Sequence, residues 1–173
     1  MVKTKELALT ALLLAIGLLL HQITVGLVAG MKPDFVITML FVALLLLRKK
    51  SLVLPAGLAA GIIAALTTSM PGGQIPNIVD KIVTAIVAML IIQLFQRYML
   101  DSLLAGIVGL VGTIISGLAF LGSAQLIIGL PVSFKALFLT VVLPTGIINA
   151  ILTPVIYTIA LRPARSIGLK LPK

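Results

Sequence analysis

The chain has 173 residues, 61% of them hydrophobic and 10% charged, with thirteen Lys and Arg against four Asp and Glu for a net charge of +9. A water-soluble domain carries roughly 25% charged residues, so this chain has too few to cover a water-facing surface and its outside must meet lipid. It has no cysteine, which excludes disulfides, thiolate metal sites and cysteine nucleophiles. The basic residues stand in short clusters between long apolar runs, the pattern of membrane-protein loops rather than of a nucleic-acid surface.

Lys3 and Lys5 precede an apolar run from Leu7 to Leu20, as in a signal peptide. The run continues with little interruption to Val28, no small-residue cleavage site follows it, and comparable runs come later, so it reads as a first membrane span. Charged residues divide the remainder into further uncharged stretches. A span needs roughly 17–25 apolar residues, fewer where Lys or Arg stems reach to the interface, as Arg48, Lys49 and Lys50 can. The stretch 51–79 is too long for one upright helix, and its segment SMPGGQIPN places a stop near Thr68. Gly129-Leu130-Pro131 ends another span. The expectation is an all-α membrane protein: one domain over 1–173, a bundle of six transmembrane helices at roughly 6–28, 34–48, 51–68, 77–97, 102–128 and 135–161.

Six crossings put both termini on one side, with Lys3, Lys5, Arg48, Lys49, Lys50, Arg97, Arg162, Arg165, Lys170 and Lys173. Only Lys32, Lys81 and Lys135 fall on the other. Cytoplasmic loops collect Lys and Arg, so both termini are expected in the cytoplasm. Small residues recur at helical spacing in Gly57 and Gly61, in Gly106, Gly109, Gly112, Ser116 and Gly117, and in Ala8, Ala11 and Ala15. Such stripes let helix backbones approach closely.

Ionisable groups near a membrane interior are costly and point to function. Of four acidic residues, Glu6 and Asp101 fall at the cytoplasmic boundary, while Asp34 and Asp80 fall outside, each beside a lysine (Lys32, Lys81) and a Gly/Pro-rich loop. Asp34 can cap helix 2 and Asn77 can cap helix 4, and the lysines can serve simply as interface anchors. Together, however, the two segments offer charge of both signs on one face, which a zwitterionic amino acid requires. Gly72-Gly73 allows the 69–76 segment to approach a ligand or close over it. His21, Gln125 and Asn149 are expected to hydrogen-bond either a ligand or a neighbouring helix; with one histidine and no thiolate, no metal site is expected. Thr67, Thr68 and Ser69 can bond back to their own helix. No phosphate-binding loop and no catalytic constellation is present, so energy for transport would come from a partner.

The Ala11-x-x-x-Ala15 helix and the polar outer loops resemble the S components of energy-coupling factor (ECF) transporters. GMKPD at 30–34, GIIAALTTSMPGGQIPNIVDK at 61–81, GLP at 129–131 and LPTGIIN at 143–149 are similar to the tryptophan transporter family TrpP. The resemblance implies a non-enzymatic, substrate-binding subunit of an ATP-driven importer in a prokaryotic plasma membrane. It implies partners too: a membrane T component that docks on the Ala8, Ala11 and Ala15 face, and two cytoplasmic ATPases that hold ATP and magnesium. No cofactor is expected in this chain. Under that reading Lys32 or Lys81 meets the substrate carboxylate, and Asp34 or Asp80 meets its ammonium. His21, Gln74, Asn77 or Gln125 serves the remaining polar atoms, and Asn149 is a further candidate. With no tryptophan and only two tyrosines, the ring would rest on Phe35, Phe120, Met31, Met39 or Met70. Two alternatives stay open: an S component for another small aromatic compound or vitamin, and a scaffold that binds another membrane protein and holds no ligand.

Overall fold

A computed structural model describes residues 3–24, 34–166, 168–169 and 171. Six helices make up these residues, and no strand occurs among them. They are α1 (Thr4–Ile23), α2 (Phe35–Leu47), α3 (Val53–Leu66, entered through a 3-10 turn at Lys50–Leu52), α4 (Gln74–Phe95), α5 (Asp101–Ile127) and α6 (Phe134–Ser166). Among the described residues α1, α4, α5 and α6 are long and apolar enough to cross a membrane, while α2 and α3 are shorter apolar helices.

Helix α2 shows why length alone misleads here. Its sequence FVITMLFVALLLL is apolar all round, and every residue from Val36 to Leu47 is buried. A helix with no polar face belongs in the middle of a bundle. At about 1.5 Å per residue its thirteen residues reach roughly 20 Å, and the surrounding helices supply the remaining thickness. Those helices carry the exposed apolar belt, with Leu12, Leu19, Leu90, Leu94, Ile151 and Ile159 facing outward.

Glycines set the closest approaches. A Cβ on Gly57 would stand 2.9 Å from the Ala85 side chain, and one on Gly61 would stand 2.9 Å from the Ile78 backbone, so the pair seats α3 against α4. Gly109 abuts the Asn149 carbonyl and the Thr153 hydroxyl of α6, Gly117 meets Val142, and Gly112 receives the Phe41 ring of α2. These stripes are internal contacts, used as small residues commonly are between membrane helices. Ala8, Ala11 and Ala15 differ, since all three are exposed on α1.

The start of α4 departs from the sequence expectation. Helix α4 begins at Gln74 rather than near 77, with Pro76 inside its first turn. Proline is tolerated there because a first-turn N–H has no helical acceptor to lose. Asn77 is therefore not the cap: its backbone N and its side-chain Nδ2 both donate to the Gly73 carbonyl, at 3.0 and 2.8 Å. Asp34 does cap α2, accepting from the Ile37 N–H at 3.1 Å.

Candidate functional site

A cavity of about 500 Å³ opens at one end of the bundle. The C-terminal end of α1 (His21), the cap of α2 (Asp34), the exit of α3 (Thr67 to Met70) and the first turns of α4 (Asn77, Asp80, Lys81) line it. Thr113, Ser116, Phe120 and Leu121 of α5 and Leu137 to Thr145 of α6 complete the wall. Small-molecule sites typically enclose about 300–1,000 Å³, mostly apolar with a few convergent polar groups. Phe120, Leu121, Met70, Val141 and Val142 supply the apolar part. Residues Phe138–Val142 form a π-helical turn; such turns gather at functional sites, and here the turn presents the adjacent residues Val141 and Val142 to the same space.

The polar part is an ion triad. The ammonium of Lys81 lies 2.5 Å from Asp80 Oδ2 and 3.2 Å from Asp34 Oδ2. Asp80 Oδ1 accepts from the Thr84 hydroxyl, one helical turn on, at 2.9 Å. Asp80 and Lys81 are 1% and 2% exposed, so their charges have left water and depend on each other. Removing one partner from such a group typically costs about 3–5 kcal/mol.

Counting donors and lone pairs shows what remains. Lys81 has three N–H groups and spends two on the carboxylates. Asp34 accepts from the Ile37 N–H and Lys81, and Asp80 accepts from Thr84 and Lys81 with the Ser116 hydroxyl also beside it. A carboxylate oxygen can accept about two hydrogen bonds. The triad thus keeps one ammonium proton and several acceptor positions, with one more negative than positive charge. That is a complement to a zwitterion whose ammonium approaches the carboxylates and whose carboxylate approaches the lysine.

Five of the sequence candidates meet at this cavity: His21, Asp34, Asn77, Asp80 and Lys81. Lys32 lies outside the described residues, as does Met31. Gln74 and Gln125 are exposed and do not line the cavity. Asn149 is fully buried behind it, accepting from Thr38 at 3.1 Å and donating to Thr113 at 3.0 Å, so it ties α2, α5 and α6 together. Thr67 bonds back to Ile63 O at 2.9 Å while also facing the cavity. Of the ring candidates, Phe120 and Met70 line the space; Phe35 and Met39 do not. Sequence reasoning passed over Thr84, Thr113 and Ser116. The Asp80-to-Thr84 spacing of four residues was the available signal for the first.

The family model described as tryptophan transporter TrpP matches residues 3–165. The chain belongs to the TrpP family. Three relatives, each described as a probable tryptophan transport protein, agree with this. The Clostridium acetobutylicum protein is 48% identical over 153 residues, 88% of this chain and 90% of the relative. The Clostridium perfringens protein is 43% identical over 175 residues, 96% of each chain. The Bacillus subtilis protein is 46% identical over 157 residues, 91% of each. No solved structure matches the chain. As a TrpP-family chain with long apolar helices, it is a membrane transport protein for tryptophan.

Proposed function

We propose that this TrpP-family chain is the substrate-capturing S component of an ATP-driven ECF importer, taking tryptophan from outside and delivering it inward with a T component and two ATPases. The observation that carries the binding step is the Asp34–Lys81–Asp80 triad, with Lys81 and Asp80 buried, beside an apolar wall that includes Phe120. The substrate ammonium sits against Asp34 and Asp80, its carboxylate takes the third Lys81 N–H, and the indole lies against Phe120, Leu121 and Met70. Asn77 and His21 serve the other polar atoms. The 69–76 segment, whose Ser69 and Met70 line the cavity, closes over the site.

The six helices span the plasma membrane with both termini in the cytoplasm, as the ten-to-three division of Lys and Arg supports. The exposed Ala8, Ala11 and Ala15 side chains leave α1 a face on which a T component packs closely. ATP and magnesium belong to the ATPase partners, and this chain performs no chemistry of its own.

Two measurements test the reading. Calorimetry on the purified chain should show saturable tryptophan binding, lost in parallel with Asp34→Ala or Asp80→Ala; unchanged affinity in both variants would refute the carboxylate assignment. Uptake of labelled tryptophan should require coexpressed T and ATPase subunits. Full uptake by this chain alone, in cells without an ECF module, would overturn the S-component role.

A further inference from the structure

At the end of the bundle opposite the cavity, an open basin of about 590 Å³ is lined by Arg48, Lys50, Gln93, Leu94, Gln96, Arg97 and Tyr98. The cations there are not equivalent. Arg48 is held by Asp101 at 2.5 Å and by the Leu45 carbonyl at 3.2 Å, and its neighbour Lys49 is held by Glu6 at 2.6 Å. Among the described residues neither Lys50 nor Arg97 has an acidic partner, and both face the same basin.

Arg48 is also the one non-glycine residue with positive φ (47°) among the described residues. That left-handed cap turns the chain at the end of α2, where the arginine both pairs with Asp101 and lines the basin. Its pairing leaves other guanidinium N–H groups unspent. Beside the basin stand an exposed tyrosine and exposed apolar side chains: Tyr98 at 82%, Leu94 at 64% and Leu100 at 77%. Tyrosine at this height marks the headgroup level of a bilayer, and the leucines continue onto the lipid-facing surface.

We infer that this basin binds the phosphate of an anionic phospholipid. Arg97 and Lys50 take the phosphate oxygens, with Arg48 as a fixed third donor. Gln93 and Gln96 hydrogen-bond the headgroup, and an acyl chain runs along Leu94 and Leu100. Basic pockets between helices at a cytoplasmic face are suited to such headgroups, because the phosphate supplies the counter-charge the protein lacks and the acyl chain anchors it. Free phosphate shares the headgroup's chemistry but not the contact with the leucines.

Native mass spectrometry of the full chain, released from membranes containing phosphatidylglycerol, tests this directly. The wild type should retain a phosphatidylglycerol molecule through detergent washing, and Lys50→Gln with Arg97→Gln should lose it. The charge-matched pair Arg162→Gln with Arg165→Gln, exposed and outside the basin, should keep it. Tryptophan affinity of both double variants should match the wild type, which shows they are folded and separates this result from the capture site. Equal retention in all three proteins would overturn the site, and equal loss in both double variants would reduce it to diffuse charge attraction. A melting shift with inorganic phosphate as large as that with phosphatidylglycerol would overturn the lipid assignment.

Discussion

The two ends of the bundle use the same kinds of side chain to different effect. At the cavity end two carboxylates share one lysine, with Asp80 and Lys81 fully buried, and hydrogen-bonding capacity left over faces an open space. At the other end each acid has its own cation. Arg48 pairs with Asp101, which also accepts from the Tyr157 hydroxyl at 2.8 Å, and Lys49 pairs with Glu6. Those pairs join α2 to α5 and α6, and the α2–α3 turn to α1; unlike the triad, they are paired one to one. The surplus there is cationic and lies at the surface. A cluster with unequal numbers can take a ligand's charge; a matched pair mainly closes a structure.

Breaking the triad should give the largest effect. Lys81→Met leaves the buried Asp80 and the part-exposed Asp34 without their shared cation, and the expected loss is about 3–5 kcal/mol of stability together with tryptophan binding. A melting curve indistinguishable from wild type would show that the triad is not under this tension. Asp80→Asn retains the side-chain volume while removing the surplus negative charge. Calorimetry should find tryptophan affinity lowered about 10-fold or more, on the scale of a lost charge-assisted hydrogen bond.

Smaller effects are expected away from the cavity. Gly109→Ala forces a methyl against Asn149 and Thr153 and should cost about 1–3 kcal/mol as overpacking, read as a lowered Tm. Asp101→Asn weakens a pair whose partners are 12% and 26% exposed, so roughly 1 kcal/mol of stability is expected. Its tryptophan affinity should hold; a large fall in affinity would abolish the contrast between the two ends. Gln125→Ala, on an exposed position, should leave binding unchanged within error.

Much of the architecture was readable from composition. Apolar runs bounded by charge located six helices, and the small-residue spacing at Gly57 and Gly61 and at Gly109 and Gly112 marked where helices touch. The cavity was partly readable. Asp34, Asp80, Lys81, Asn77 and His21 stood out because ionisable and amide groups are rare in such a chain. Gln74, Gln125 and Asn149 stood out for the same reason but do not line the cavity. Rarity identifies a costly residue without saying which way it points.

Composition and charge spacing by themselves determined a helical membrane protein with its charged groups gathered at the two sets of helix ends, because lipid tolerates few alternatives. Only the tertiary structure decided that α2 is the buried centre, that Lys81 is shared between Asp34 and Asp80, and that Asn149 serves the fold. Those outcomes depend on helix rotation and on a first turn of α4 that begins three residues early around Pro76. One residue of helix rotation is about 100°, enough to move a side chain from the cavity to the lipid.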